Sequence, residues 1–290
     1  MTMSPNLYIG IDGGGTSSRA VLVDGDRRIE VRGGPANAMR FDAAMRAVNA
    51  LIADLAGRAG LDPGELVHAL AHVGLAGVMT PEMSARVAAA LPLRDAVVTD
   101  DQPTAIAGAL GSRWGAVAAI GTGSFVGRQS GAGIRVLGGW GLPIGDQASG
   151  ARLGRRLLEE LMLAVDGLRP HSDLTRDLLS EHENSAANVV LFSTGASAAD
   201  FATLAPRIVA SALAGDTVGA SLMREGADYI RACLTTLDHR HDEPLCLMGG
   251  LGPAYADWLG ADLSARVKAP LGTSLDGALA LARRRGEGGA

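Results

Sequence analysis

The chain has 290 residues, roughly the length of two domains, and 47% of them are hydrophobic, which is enough for a sizeable core and argues against disorder. Its 26 basic and 31 acidic side chains leave a formal net charge of −5, and only 3% of the residues are aromatic, so the composition does not favour nucleic-acid binding. The N-terminus "MTMSPNLY" lacks the pattern of a signal peptide, and no apolar run is long enough for a membrane helix. We therefore expect a cytoplasmic protein with no nucleic-acid or membrane partner.

The counts of cysteine and lysine exclude further classes of protein. Cys233 and Cys246 are too few for a disulfide scaffold, a zinc cluster or a self-contained iron–sulfur site. Lys268, in "SARVKAPLG", is the only lysine, and it does not follow a P-loop glycine. P-loop NTPases and protein kinases, which need a lysine at a defined place, are excluded.

The first part of the chain reads as a three-stranded meander and a helix, followed by two strand–helix pairs. In chain order, these predicted elements cover 7–12, 19–23, 29–32, 40–59, 67–76, 81–91, 95–100 and 103–111.

The same plan then restarts with two strands joined by a glycine turn, a third strand and a series of helices. The predicted strands cover 115–129 (a pair), 134–139, 244–250 and 265–270, and the predicted helices cover 149–165, 173–182, 204–214, 217–239, 253–259 and 273–285. When "GGGT" (13–16) is laid on "GTGS" (121–124), the offset is 108 residues. The repeat predicts two related α/β lobes, although glycine-rich hairpins are common enough for the match to arise by chance.

The stretch "LYIGIDGGGTSSRAVLVDGD" (7–26) places Asp12 where a dinucleotide-binding fingerprint would have a glycine. A carboxylate beside a pyrophosphate is unfavourable unless a cation lies between them, and Mg²⁺ is the usual cation. We interpret Asp12 as facing a magnesium ion and the following turn as holding phosphate through its backbone N–H groups. A plain glycine-rich turn is the structural alternative.

Two further glycine turns resemble this one. The second, "IGTGS" (120–124), is followed by a sequence with strand rather than helix character, which weakens a dinucleotide-loop interpretation. The third is "CLMGGLG" (246–252), in which two glycines end a buried strand and leave room for a ring or ribose. Many strand-to-helix turns share the pattern of the third.

Two regions offer acidic side chains. In "VVTDDQPTAIAGA" (97–109), one of Asp100 and Asp101 can cap the following helix while the other acts as a general base. In "GGWGLPIGDQASG" (138–150), Trp140 and Asp146 could hold a sugar by stacking and by hydrogen bonding, with Asn37 as a further polar group. A helix cap beneath a packed tryptophan is the structural alternative for the second region.

The motifs "DGGGT", "TDD", "GTGS", "GWGLPIGDQASG" and "CLMGG", in this order, resemble the sugar-kinase branch of the actin/hexokinase/Hsp70 superfamily. More narrowly, they are similar to the BadF/BadG/BcrA/BcrD-type ATPase family, and within it to glucosamine and N-acetylglucosamine kinases. The resemblance implies an α/β fold of two duplicated ribonuclease H-like lobes with a cleft between them. It assigns 1–113 to the N-terminal lobe, completed by a helix at 273–287, and 114–272 to the C-terminal lobe.

The resemblance also implies roles for individual residues. Asp101 aligns with the catalytic base, and Asp12 lies near Mg²⁺, directly or through water. Phosphate and nucleotide contacts fall on Gly13, Gly14, Gly15, Thr16, Gly121, Thr122, Gly123, Ser124, Gly249 and Gly250. Sugar contacts fall on Asn37, Asp101, Trp140 and Asp146.

The function implied is an ATP- and Mg²⁺-dependent hexosamine kinase that phosphorylates the 6-hydroxyl of glucosamine. N-acetylglucosamine is the alternative substrate, although Gln147 replaces a glutamate that is frequent in N-acetylglucosamine kinases of this type. An ATPase activator of an acyl-CoA dehydratase is a more distant alternative, and the sequence leaves a homodimer open. The activator would bind an iron–sulfur cluster through loop cysteines, whereas Cys246 falls in a predicted buried strand and Cys233 on a predicted helix.

Overall fold

A computed structural model describes residues 7–287, and within them the chain divides into two units. The first unit runs to Arg113 and resumes at Pro270, and the second runs from Trp114 to Ala269. No helix among the described residues is long and apolar enough to cross a membrane.

Nine strands lie within residues 7–287. They are β1 (Tyr8–Gly13), β2 (Ser18–Asp24), β3 (Arg27–Gly33), β4 (Leu70–Leu75), β5 (Ala96–Thr99), β6 (Gly115–Ile120), β7 (Ser124–Ser130), β8 (Gly133–Gly138) and β9 (Leu245–Met248).

The same residues contain eleven α-helices and three short 3₁₀ helices. The α-helices are α1 (Phe41–Ala59), α2 (Pro81–Ala89), α3 (Asp101–Leu110), α4 (Gly150–Val165), α5 (Asp173–Glu181), α6 (Ala186–Gly195), α7 (Ala198–Ala202), α8 (Ala205–Leu213), α9 (Thr217–Thr236), α10 (Ala261–Ala265) and α11 (Ser274–Glu287). The 3₁₀ helices are Ala38–Arg40, Pro63–His68 and Gly252–Trp258.

Each unit contains one mixed sheet built on the same plan. The first sheet has the order β3-β2-β1-β4-β5, and the second has the order β8-β7-β6-β9. In both, an antiparallel meander is extended by a strand that runs parallel to the meander's first strand. The shared connectivity supports the duplication that the glycine motifs predict.

Apolar strand residues account for the two main cores. Ile9, Ile11 and Leu22 are fully buried in the first sheet, where they pack with the apolar face of α1. In the second unit, Ile120 and Val126 are buried in a core with α4, whose apolar residues recur at helical spacing. The helical spacing of the buried residues in α1 and α4 is what the sequence pattern predicts, whereas central strands such as β2 are buried on both faces.

Four details of the second unit differ from the sequence prediction. The strand predicted at 265–270 is wrong: Ala261–Ala265 is helical, and only Val267 forms a bridge, to Leu245. The pairing cannot extend far, because Pro270 has no N–H to donate. The helical stretch predicted at 253–259 is a 3₁₀ helix, and α6 and α7 were not predicted.

Two glycines set the approach of α11 to α3 in the first unit. A Cβ added to Gly277 would lie 1.9 Å from the carbonyl oxygen of Thr104 and 2.4 Å from the backbone nitrogen of Gly108. A Cβ added to Gly108 would lie 2.0 Å from the carbonyl oxygen of Thr273. The two helix backbones are therefore in direct contact, and any side chain at either position must separate them.

We expect Gly277→Ala to lower the free energy of unfolding by about 2 kcal/mol or more, because the added methyl group overpacks a backbone contact. Urea unfolding measures this change. The matched control is Gly57→Ala in α1, where an added Cβ meets nothing within 4 Å. This substitution should raise stability by about 0.5–1 kcal/mol. Equal effects of the two substitutions would contradict the contact.

Candidate active site

Parallel pairing collects the first group of predicted site residues at one edge of the first sheet. β4 runs parallel to both β1 and β5, so these three strands end at the same edge. Asp12 lies in β1, and Asp100 and Asp101 follow the end of β5. The carboxyl edge of parallel strands is where α/β proteins usually bind ligands.

The turn after β1 is fixed by backbone hydrogen bonds. Gly14 N–H donates to Ser17 O at 3.0 Å, and the carbonyl oxygens of Gly13 and Gly14 accept from Ala76 at 2.8 Å and from Ala36 at 2.9 Å. A Cβ on Gly13 would lie 2.4 Å from the Leu75 side chain, so only glycine fits there. Gly15 and Thr16 are exposed at the tip, and a phosphate can approach them there.

The Asp12 carboxylate has a partner that the sequence reasoning missed. Arg19 stands opposite Asp12 in the β1–β2 register, and its guanidinium donates to Asp12 Oδ2 at 2.6 Å. The Asp12 side chain keeps 16% of its surface exposed. The apolar pattern along a strand shows which residues share a face. It does not show which residue of the neighbouring strand stands opposite, so the Asp12–Arg19 pair could not be predicted before the cross-strand register was known.

Asp100 and Asp101 form a hydrogen-bonded pair of carboxyl groups. Burial, then the charge of Asp100 and a hydrogen bond to it, and then the charge of Asp12, raise the pKa of Asp101 to about 7. Burial also raises the pKa of Asp100 above its ordinary value, although that carboxylate accepts hydrogen bonds from the backbone of Asp101 and Gly77. Asp100 occupies the N-cap position of α3, but its side chain makes no capping hydrogen bond to that helix.

Asn37 lies in a cavity of about 460 Å³ on the same unit. Its Oδ1 accepts from Met39 N at 2.9 Å, which caps the 3₁₀ helix Ala38–Arg40. A Cβ on Gly77 would lie 2.7 Å from that Oδ1, so the Gly77 backbone lies against Asn37 as well as bonding to Asp100. The cavity is lined by Gly15, Pro35, Asn37, Met39, Arg40, Ala43 and Ala44. Sequence reasoning missed Met39 and Arg40, which carry no motif.

The second glycine turn joins β6 to β7 in the second unit. Gly121 N–H donates to Gly123 O at 2.9 Å, and the start of α4 binds the turn through Gly150 N–H, which donates to Gly121 O at 2.8 Å. The Ser124 hydroxyl is buried and donates to the carbonyl oxygen of Gln147. Ser124 therefore holds the turn against the following loop, while Thr122 and Gly123 are exposed.

The third turn approaches the second from β9, the parallel neighbour of β6. Gly249 has a φ of +79°, and a Cβ there would lie 2.3 Å from the carbonyl oxygen of Ile120. Both the left-handed backbone and the close approach require glycine. Gly250 is exposed and lines a cavity of about 550 Å³ together with Gly121 and Thr122.

The loop at 138–150 buries one of its two predicted sugar contacts and exposes the other. The Asp146 carboxylate is buried, accepts from Gly141 N at 3.2 Å, and lies where a Cβ on Gly123 would come within 3.0 Å. The Trp140 side chain is 66% exposed, so it is not the packed tryptophan of the structural alternative. The helix cap of that alternative comes from Ser149, which accepts from Arg152 N at the start of α4.

The predicted site residues thus fall into two groups. The first unit holds Asp12, Gly13, Gly14, Gly15, Thr16, Asn37 and Asp101, and the second holds Gly121, Thr122, Gly123, Ser124, Trp140, Asp146, Gly249 and Gly250. In the first group, Asp12 and Asp101 lie at one edge of the sheet. In the second group, the turns that contain Gly121 and Gly249 lie in contact.

The donor set in the first unit fits a magnesium ion that also binds phosphate. The charge of Asp12 raises the pKa of Asp101. Among the ion pairs of residues 7–287, only the guanidinium of Arg19 pairs with these acidic side chains. No cluster of three or more acidic, histidine or cysteine side chains within residues 7–287 could hold a metal unaided. The Asp12 carboxylate is of the type that Mg²⁺ takes, because proteins usually hold this ion through one or two carboxylates plus phosphate oxygens and water.

Two mixed sheets of one plan, each with a glycine turn after the first strand, define the actin-like ATPase and sugar-kinase fold. A glucokinase of the ROK family from Streptomyces griseus, solved with glucose and AMPPNP, shares this fold with 21% identity and a TM-score of 0.51 over 96% of this chain and 100% of that chain. Residues 9–259 match the BadF/BadG/BcrA/BcrD ATPase family, and the chain belongs to that family.

Two relatives are similar over almost the whole chain. The glucosamine kinase GspK of Vibrio cholerae is 33% identical over 281 residues, which cover 96% of each protein. The crystal structure of a proposed N-acetylglucosamine kinase from Chromobacterium violaceum is 32% identical, with a TM-score of 0.79 over 96% of this chain and 99% of that one. An N-acetylmuramic acid/N-acetylglucosamine kinase of Clostridium acetobutylicum is 26% identical over 233 residues, or 76% of this chain and 75% of its own.

The raised pKa of Asp101 predicts a pH-dependent stability. Between about pH 4 and pH 7 the folded protein keeps a proton on Asp101 that the unfolded chain releases, so the free energy of unfolding falls as the pH rises through this range. Asp101→Asn removes this contribution. We expect the variant to be more stable than the parent at pH 8, by about 1–2 kcal/mol.

Urea unfolding of both proteins between pH 4.5 and 8 tests this expectation. The variant should show a flatter dependence on pH than the parent. Asp26→Asn, in the exposed turn between β2 and β3, is the control and should follow the parent curve. Parallel curves for Asp101→Asn and its parent would show that Asp101 has an ordinary pKa.

Proposed function

We propose that this protein is an ATP-dependent hexosamine kinase that transfers the γ-phosphate to the 6-hydroxyl of glucosamine and forms glucosamine 6-phosphate. Membership of the ATPase family, together with relatives named as amino-sugar kinases, makes the protein a sugar kinase, an enzyme that transfers phosphate from ATP. Beyond this activity, the proposal specifies which sugar is phosphorylated, which of its hydroxyl groups accepts the phosphate and which residues take part. The observation that carries it is the half-buried, hydrogen-bonded carboxyl pair Asp100–Asp101, which lies with Asp12 at one strand edge.

Asp101 is the proposed general base. A pKa of about 7 leaves a useful fraction of the carboxylate ionised at neutral pH while making it a stronger base than an exposed aspartate. In the proposed step, Asp101 accepts the proton of the sugar O6–H as O6 forms a bond to the γ-phosphorus. The bond from that phosphorus to the β–γ bridging oxygen breaks, and ADP leaves with the electron pair.

The glycine turns are the proposed phosphate contacts. Gly13 to Thr16 would form one phosphate-binding turn and Gly121 to Ser124 another, with the exposed residues Gly15, Thr16, Thr122 and Gly123 presenting their backbone N–H groups to the phosphates. Backbone amides held by hydrogen bonds are preorganised for developing negative charge. A Mg²⁺ ion near Asp12 would neutralise charge on the phosphate oxygens.

The Asp12–Arg19 pair would keep the carboxylate oriented and leave its second oxygen available to the ion or to a water molecule on the ion.

Two sets of side chains bear on the amino sugar. Acidic groups at Asp100, Asp101 and Asp12 favour the ammonium group of glucosamine over a neutral acetamide. Gln147, which stands where a glutamate is frequent in N-acetylglucosamine kinases of this type, also supports the free amine.

One observation favours N-acetylglucosamine as the second candidate. The exposed cation Arg40 lines the cavity that contains Asn37, where it would repel an ammonium group and could donate to an acetamide oxygen.

A sugar panel tests the substrate. ADP release should depend on added sugar, and kcat/KM should be higher for glucosamine than for N-acetylglucosamine or glucose. The reaction without sugar is the control. Comparable ADP release without any sugar would reject the kinase assignment, and a preference for N-acetylglucosamine would reject glucosamine as the substrate.

We expect Asp101→Asn to lower kcat by about 100-fold or more, because the reaction loses its general base. Binding of ADP, followed by calorimetry, should change little, since Asp101 is not among the proposed nucleotide contacts. Asp26→Asn again serves as the control, with unchanged kcat. If Asp101→Asn kept nearly normal turnover, another residue would have to accept the proton.

A further inference from the structure

One cavity of the second unit adjoins the second glycine turn and is unlike the carboxylate site in its chemistry. It measures about 550 Å³, within the usual range for a small-molecule site. Glycine turns, the start of α4 and the junction of α7 with α8 form its wall. Its lining residues are Gly121, Thr122, Gly150, Ala202, Ala205, Pro206, Val209, Gly250, Leu251 and Ala254.

The cavity is continuous with the turn proposed to bind phosphate, because Gly121 and Thr122 belong to both. A nucleoside triphosphate whose phosphates contact this turn can place its ribose and base only in space next to it. We therefore take the occupant to be the nucleoside part of the phosphate donor, an assignment that rests on the proposed function.

The wall of this cavity has almost no side chain that could form selective hydrogen bonds with a nucleotide base. Among the lining residues that the structure describes, the hydroxyl of Thr122 is the one polar side-chain group, and it lies in the phosphate turn. The others are glycine, alanine, proline, valine or leucine. Discrimination between base edges normally uses carboxamide, carboxylate or guanidinium groups in paired hydrogen bonds.

Backbone donors of the lining are also largely engaged. Gly121 N–H donates to Gly123 O at 2.9 Å, and Gly150 N–H donates to Gly121 O at 2.8 Å. Leu251 N–H donates to Ile120 O at 3.0 Å, and Ala254 N–H donates to Leu251 O at 3.1 Å. These four groups hold the turns together and are not available to hydrogen-bond a base.

An apolar pocket cannot strongly reject a ligand of similar shape that carries different polar groups. Such pockets discriminate by about 100-fold or less, whereas sites that hydrogen-bond a substrate group reject analogues by about 10⁴–10⁵-fold. We infer that this enzyme accepts purine nucleoside triphosphates as a class and does not select adenine over guanine or hypoxanthine. Binding energy for the base comes from burial of the ring faces against alkyl groups.

Calorimetric binding of ADP, GDP and IDP to the unmodified protein tests this inference without relying on turnover. We expect dissociation constants within about tenfold of one another. Ratios of GDP and of IDP to ADP within about tenfold support the inference, and a larger ratio for either overturns it, as does failure of all three to bind. The sugar panel above is independent, so a protein that binds all three but phosphorylates no sugar would refute only the proposed function.

A substitution that fills the cavity tests its location. Ala202 lies in the wall, so Ala202→Leu should weaken the binding of all three nucleotides at least tenfold and by similar factors. The matched control is Ala199→Leu on an exposed position of the same helix, α7, which should bind normally. Normal nucleotide binding by a folded Ala202→Leu variant would overturn the assignment of this cavity. If that variant does not fold, the comparison of nucleotides on the parent protein still decides the inference.

Discussion

Parallel pairing of the first strand of each meander is the constraint on which both groups of predicted site residues depend. β1 pairs with β4 in the first sheet, and β6 pairs with β9 in the second. Because parallel neighbours end at the same edge, the segments that follow them must lie side by side. The glycines at these ends are a consequence: Gly13 fits against Leu75, and Gly249 fits against the carbonyl oxygen of Ile120.

The carboxyl groups of the first unit show how burial and mutual repulsion set a pKa. Burial alone raises the pKa of Asp101, and the nearby charges of Asp100 and Asp12 raise it further. Such an arrangement is unfavourable for folding, since the ionised forms repel one another. Arg19 offsets part of the repulsion by pairing with Asp12, and the backbone of Gly77 stabilises Asp100. A carboxyl pair whose pKa values are raised at some cost in stability is typical of a functional site.

Most of the elements could be predicted from the sequence, because their signal is a local one. The meander 7–12, 19–23 and 29–32 corresponds to Tyr8–Gly13, Ser18–Asp24 and Arg27–Gly33, in which burial follows the apolar pattern. The strand expected at 265–270 failed because an apolar pattern does not reveal that the helix Ala261–Ala265 reaches into this segment, while Pro270 limits the pairing of Val267 with Leu245. The helix α6 was missed because its hydrophobic residues do not mark one clear face: of Val189, Val190 and Leu191, only the first is buried.

The site was predictable to the extent that it consists of motifs. The glycine turns and the acidic pair stand at strand ends, where the sequence places them. Arg19, Met39 and Arg40 were not predictable, because their relation to the site depends on register and on the path of a loop. The exposure of Trp140 and the burial of Asp146 could not be predicted either, because the sequence of a loop does not show which of its residues are buried.

The two units use different chemistry for the tasks proposed for them. Ionisable and amide side chains lie at the strand edge of the first unit, where Asp100 and Asn37 both adjoin Gly77 and Asp101 pairs with Asp100. The cavity proposed for the nucleoside, in the second unit, is instead walled by backbone and small alkyl groups. Phosphates are the same in every nucleoside triphosphate, so backbone turns can recognise the donor without reading its base. Selection of the acceptor then depends on the side chains, which is where charge and hydrogen bonding can distinguish one sugar from another.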